Sequence, residues 1–183
     1  MNSLFSRIKA FIKGEQNLEK LIKRGLVVGK NFTRMSGVVI DPSHCWHITI
    51  GDNVILAPRV HVLAHDASTK VFLNHTRVAN TTIGNNVFIG AGSIVLPGVR
   101  IGNNVVIGAG SIVTKDIPDS SVAVGNPARV IKALDTFLDE EKHKMVSGNV
   151  FGEEYTLRNE AFGEVEKKAL LEACERFGVI FVE

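Results

Sequence analysis

Four histidines stand close together, at His44, His47, His61 and His65, and a fifth, His75, follows further on. Neutral imidazole, with an ordinary pKa of about 6.5, can accept a proton at cellular pH. A positioned base of this kind is worth ~10²–10⁴ in rate. Several imidazoles can also hold zinc, provided that their nitrogens converge at about 2.0–2.1 Å. His65-Asp66 stands at the mouth of an irregular stretch, LAHDASTKVFLNHTRVANT, and His75 lies within it. A carboxylate should orient such a base. Asp66 is adjacent to His65, but sequence neighbours often point apart, so the partner of His65 is left open. Near by, PSHCW (residues 42–46) carries Trp46, which offers a flat face to a sugar ring or a packing surface to a coil corner.

What surrounds these residues must hold them still. From Ile83 the chain reads IGNNVF, IGAGSI, VLPGVR, IGNNVV, IGAGSI, VTKDIP. Ile83, Ile89, Val95, Ile101, Ile107 and Val113 head the six units, and Gly follows at 84, 90, 102 and 108. A helix of period 3.6 cannot keep one face buried on a strict period of six. Short flats joined by sharp corners can, with three hexads closing one coil and successive coils stacking as parallel strands about 4.8 Å apart. The same register appears at Ile50, Leu56 and Val62. The heads Ile50 and Ile83 stand too far apart for a single coil, so the surplus, within 67–82, leaves the prism as a loop. The predicted columns are Ile50/Ile83/Ile101, Leu56/Ile89/Ile107 and Val62/Val95/Val113. An earlier coil spans Val28 to His47, with Val38, Val39 and Ile40 competing for its register.

The ends read differently. Residues 3–13 and 15–24 have apolar positions at helical spacing with basic polar faces. They suit a cap over the open first coil, which a solenoid needs, or a membrane surface. Residues 133–146 and 163–176 read as helices around a polar loop, and the final VIFV as a short strand. The expected organisation is a helical cap over 1–27, a β-helix over 28–132 with the loop 67–82, and a helical extension over 133–183.

With 21 Lys+Arg against 19 Asp+Glu, the 183-residue chain carries a net charge of +2, which gives no footing for a nucleic acid. Its two cysteines make no disulfide framework, and no run is long and apolar enough to span a membrane. A cytoplasmic protein is expected.

The hexads resemble the hexapeptide-repeat family, whose members fold as a left-handed parallel β-helix. VAVGNPARVIK (122–132) resembles the segment that ends the β-helix in galactoside and maltose acetyltransferases. This resemblance implies a homotrimer with sites between neighbouring prisms. It also implies transfer of acetyl from acetyl-CoA to a sugar or surface-polysaccharide hydroxyl, with His65 as general base and no metal required. Transfer to an amino sugar stays open. Positions matching Ala91, Ala109, Thr114 and Lys115 contact coenzyme A in the family, and those matching Arg129 and Lys132 lie near its nucleotide end. The Ala91 N–H is the candidate oxyanion donor. Two other readings use the same prism. The zinc-binding γ-class carbonic anhydrases do so, but His61-x₃-His65 does not reproduce their ligand spacing. A non-enzymatic assembly platform would need neither the loop histidine nor the cations.

Overall fold

The structure, a computed structural model, describes residues 16–183. The helix read from residues 3–13 lies outside them. From residue 16 to Leu134 the chain forms one compact unit, built around a three-sided parallel β-helix. Its first coil carries β1 (Val27–Val28), β2 (Thr33–Arg34) and β3 (Val39–Ile40), and its second β4 (Ile48–Ile50), β5 (Val54–Leu56) and β6 (His61–Val62). The third carries β9 (Thr81–Ile83), β10 (Val87–Ile89) and β11 (Ile94–Val95), and the fourth β12 (Arg100–Ile101), β13 (Val105–Ile107) and β14 (Ile112–Val113). The first face is the sheet β1-β4-β9-β12 and the third is β3-β6-β11-β14. The second face continues past β13 to β15 (Ser121–Val124) and then β16 (Arg129–Ala133), which turns back antiparallel. The stacking fits a left-handed β-helix.

Each inward column follows the hexad heads. Ile50 pairs with Ile83 and Ile83 with Ile101, Leu56 with Ile89 and Ile89 with Ile107, and Val62 with Val95 and Val95 with Val113. All nine are essentially solvent-free. Burying each side chain contributes roughly 1.5–3 kcal/mol, which sets the prism's internal shape firmly. The corners admit little bulk. A Cβ at Gly90 would run into the backbone of Ala109 in the next coil. At another corner Asn31, Asn53, Asn86 and Asn104 sit in the left-handed region, with φ of 54°, 55°, 54° and 55°. Their amides form a ladder, each Nδ2 donating to the next Oδ1 at 2.9 Å. Asn tolerates this conformation better than other side chains with a Cβ, and the ladder satisfies its amide.

The first coil is now in register. Val28 pairs with Ile50, Arg34 with Leu56 and Ile40 with Val62, so Ile40, not Val38 or Val39, joins the third column. The partners in each pair stand further apart in sequence than one coil of three hexads. The surplus falls after Ile40 and forms a corner with a 3-10 turn at Cys45–His47. The second interruption follows β6. β7 (His65–Asp66) and β8 (Arg77–Val78) pair antiparallel and carry between them the short helix α2 (Lys70–Leu73). The Thr81 hydroxyl donates to the Leu63 carbonyl at 2.7 Å where the chain rejoins the prism.

Helix α1 (Leu18–Lys23) precedes the first coil, with Leu21 buried in the core and the Asn17 side chain capping its N-terminus. Residues Asp135–Glu183 form a second compact unit. It holds most of α3 (Leu134–Lys144), then β17 (Val150–Phe151), α4 (Glu164–Phe177) and β18 (Phe181–Val182), which pairs parallel with β17. Buried Asn149 ties this unit together, donating to the Lys144 carbonyl at 2.8 Å and accepting from the Val146 N–H at 2.8 Å. Among the described residues no helix is long and apolar enough to cross a membrane.

Candidate active site

His65 begins β7, where the chain leaves the third face. Its Nδ1 is hydrogen-bonded to Oδ2 of Asp41, the residue that follows Ile40 and is wholly buried. The hexad stacking makes this pair, because Ile40 lies beneath Val62 and the Asp41 N–H donates to the Val62 carbonyl at 2.9 Å. Asp41 is thereby set beneath the start of the excursion. Its Oδ2 also accepts from the Ala64 N–H at 3.1 Å, and Oδ1 accepts from Ser43 and His44 N–H at 3.0 and 3.1 Å. Burial raises the carboxyl pKa, but the bonds from His65 and these three amides outweigh it and hold Asp41 below the usual carboxylate range. A carboxylate at Nδ1 keeps the ring proton there and leaves Nε2 as the proton-accepting nitrogen.

Asp66 does not orient His65. It accepts from the Ser68 N–H at 2.8 Å and lies 3.7 Å from Nη1 of Arg77, its partner across the β7–β8 pair. The Ser68 bonds, then the Arg77 charge, hold its carboxyl below the ordinary value. His65, Asp66 and Arg77 line a cavity of about 440 Å³ with Leu96, Pro97 and Thr114. This is concave space lined about equally by apolar and polar groups, with several polar side chains available to orient a small molecule.

The other sequence candidates are dispersed. Thr114 shares the cavity with His65, and Lys115 follows it, exposed. Ala91 and Ala109 stack at the corner between the second and third faces, where the Gly110 N–H donates to the Ala91 carbonyl at 2.8 Å. Both are exposed. The third face separates this corner from the one bearing His65, so one chain does not bring Ala91 to its own His65. Arg129 and Lys132 lie on β16 at the far end of the second face, opposite Val124 and Val122. His75 is exposed, with Nδ1 2.6 Å from the Leu73 carbonyl, and does not line the cavity. His61 takes an outward position on β6, and His47 Nδ1 lies 2.7 Å from Asn80 Oδ1. His44 packs its ring 4.7 Å from that of His65 and 5.5 Å from half-exposed Trp46.

Asp41 is the partner of His65 that sequence reasoning missed. The sequence shows an acidic residue after Ile40, but only the register of the first coil, seen in the structure, places it beside His65.

Residues 80–115 match the family model described as bacterial transferase hexapeptide (six repeats). Protein CapG of Staphylococcus aureus is 40% identical over 145 residues, which cover 75% of this chain and 81% of that protein. The galactoside O-acetyltransferase of Escherichia coli K12 is 44% identical over 119 residues, 63% of this chain and 56% of the enzyme. The chain therefore spans little more than half of that enzyme's length. The solved galactoside acetyltransferase in complex with coenzyme A is 32% identical, with a TM-score of 0.51 over 76% of this chain and 82% of that one. With the hexad columns, the prism and a relative matched over most of its length, the chain belongs to the hexapeptide-repeat acetyltransferase family.

Proposed function

We propose that the protein transfers acetyl from acetyl-CoA to a hydroxyl of a sugar or surface polysaccharide. The observation that carries this reading is the His65 imidazole, seated on buried Asp41 and facing a cavity shared with Thr114. His65 Nε2 takes the proton of the acceptor hydroxyl as its oxygen attacks the thioester carbonyl. The oxyanion so formed accepts from the Ala91 N–H. Its collapse breaks the C–S bond, and the departing thiolate takes the proton from His65. Asp41 keeps the ring in its working tautomer and balances the transient imidazolium.

His65 and Ala91 stand on different corners, so two copies must supply one site. This supports a homotrimer of prisms, each lending its His65 corner to one neighbour and its Ala91 corner to the other. The coenzyme would run along the Ala91–Ala109 corner, its pantetheine close to the backbone, with Thr114 beside the thioester. Lys115, Arg129 and Lys132 supply positive charge for the nucleotide end. The relatives named for coenzyme A and for galactoside O-acetylation support the donor and the acceptor class. Two free cysteines, Cys45 and Cys174, fit a reducing cytoplasm, where a disulfide would not persist.

Thiol release from acetyl-CoA, measured against a panel of neutral sugars, amino sugars and oligosaccharides, tests the reading. Turnover with hydroxyl acceptors is expected, with the product O-acetylated by mass spectrometry. Transfer confined to amines would move the assignment to N-acetylation, and no acceptor-dependent thiol release would overturn it.

A further inference from the structure

One group beside the site has no role in that chemistry. His44 Nδ1 is buried and has no hydrogen-bond partner, the single such side-chain nitrogen or oxygen found among the described residues. Buried polar atoms are almost always paired, so an orphan asks for a ligand. The groups around it are metal donors. One ligand atom each from Asp41, His44 and His65 lies within 4.8 Å of the other two. A carboxylate and two imidazoles, with a fourth position left for water, is a zinc donor set.

We propose that Asp41, His44 and His65 bind a divalent zinc-like ion, and that the bound ion switches the site off. Neighbouring ligands of a tetrahedral ion at about 2.0–2.1 Å stand roughly 3.3 Å apart, so the His65–Asp41 pair would open to admit the ion, and His44, whose ligand atom lies within 4.8 Å of theirs, would complete the triangle. The supporting shell is already built. Ser43 and His44 N–H groups hold Asp41 Oδ1, and the 3-10 turn at Cys45–His47 fixes the backbone that carries His44. Of the three, His65 also lines the cavity. The ion would sit where the ring proton now bridges His65 Nδ1 and Asp41 Oδ2. A nitrogen bound to metal cannot keep its proton, so in the neutral ring that proton moves to Nε2. No proton is gained or lost, but Nε2 changes from acceptor to donor. On the reading of His65 as the base, acyl transfer then stops. Binding itself does not depend on that reading.

Cobalt(II) titrated into the chelator-treated protein, with no donor or acceptor present, tests the site through its visible d–d absorption. The wild type is expected to saturate at one ion per chain, and zinc to displace the cobalt. His44→Phe, which keeps the ring packing, and His44→Gln, as a second folded variant checked by circular dichroism, should each weaken binding at least tenfold. Zinc should inhibit wild-type acetyl transfer reversibly by chelator and should inhibit His44→Phe at least tenfold less well. Absence of a cobalt spectrum in folded wild type, or its persistence in both His44 variants, overturns the site. Tight binding without any inhibition overturns the switch. Neither result bears on whether the metal-free protein transfers acetyl groups.

Discussion

A buried carboxylate is costly unless its charge is answered, and Asp41 is answered by His65 and by three backbone amides. That arrangement makes the residue serve the fold and the proposed base together, and two substitutions separate these duties. His65→Ala should lower kcat by at least ~10² while leaving coenzyme binding largely intact, as isothermal titration would read. Asp41→Asn keeps the shape but removes the charge that holds the proton on Nδ1, so kcat should also fall by about 10² or more. The second variant also carries a pH signature. The folded carboxyl is held below its unfolded value of about 3.9, so its contribution to stability is fully present above that pH. It is lost as pH falls from there through the lower folded value. Thermal melts from pH 7 down to pH 2 should show a steep acid limb in the wild type and a shallower one in Asp41→Asn, which should also melt lower at pH 7. Parallel acid limbs would dissociate Asp41 from acid stability.

At the level of strands and corners, the ladder at Asn31, Asn53, Asn86 and Asn104 is a stabilising device separate from the aliphatic columns. Asn86→Ala keeps a Cβ at φ 54° but loses the compensating amide and breaks two rungs. It should cost about 1–3 kcal/mol. Asn86→Gly removes the same rungs but relaxes the backbone, so it should cost clearly less. Urea midpoints of the two variants distinguish backbone strain from lost hydrogen bonding, and equal midpoints would assign the whole effect to the amides. The columns were legible in the sequence because hexads with a head aliphatic admit one stacking, and the overlong step from Ile50 to Ile83 shows the excursion outright. Asp41 was not legible for a physical reason. Arg34 occupies a head position in the first coil, and extra residues follow Ile40, so the period there is both masked and shifted. Without that register nothing in the sequence lays Asp41 under Val62. The separation of Ala91 from His65 was legible, because Ala91 follows Ile89 of the second column and His65 follows Val62 of the third, but hexads do not say which corner of which copy meets a ligand.

For the whole molecule, the placing of the proposed base and the proposed oxyanion donor on different corners makes assembly a condition of activity. Light scattering should give three chains per particle. Mixing offers a sharper check. His65→Ala and Ala91→Tyr, which blocks the donor corner, should each be inactive alone. Co-expressed, they should recover part of the wild-type rate, since some interfaces then pair a sound His65 from one chain with a sound Ala91 from another. No recovery in demonstrably mixed particles would mean that each chain completes its own site. The prism tolerates the interruptions that create this chemistry because both occur at corners. After the extra residues of the first coil and the longer excursion of the second, the aliphatic columns resume unbroken. Length change is therefore quantised in this scaffold. A lineage can lengthen a bend freely, or add an entire circuit of three hexads, but a single codon gained or lost within a flat would throw every later side chain out of its column. New specificities should accordingly arise, in nature or by grafting, through the bends alone.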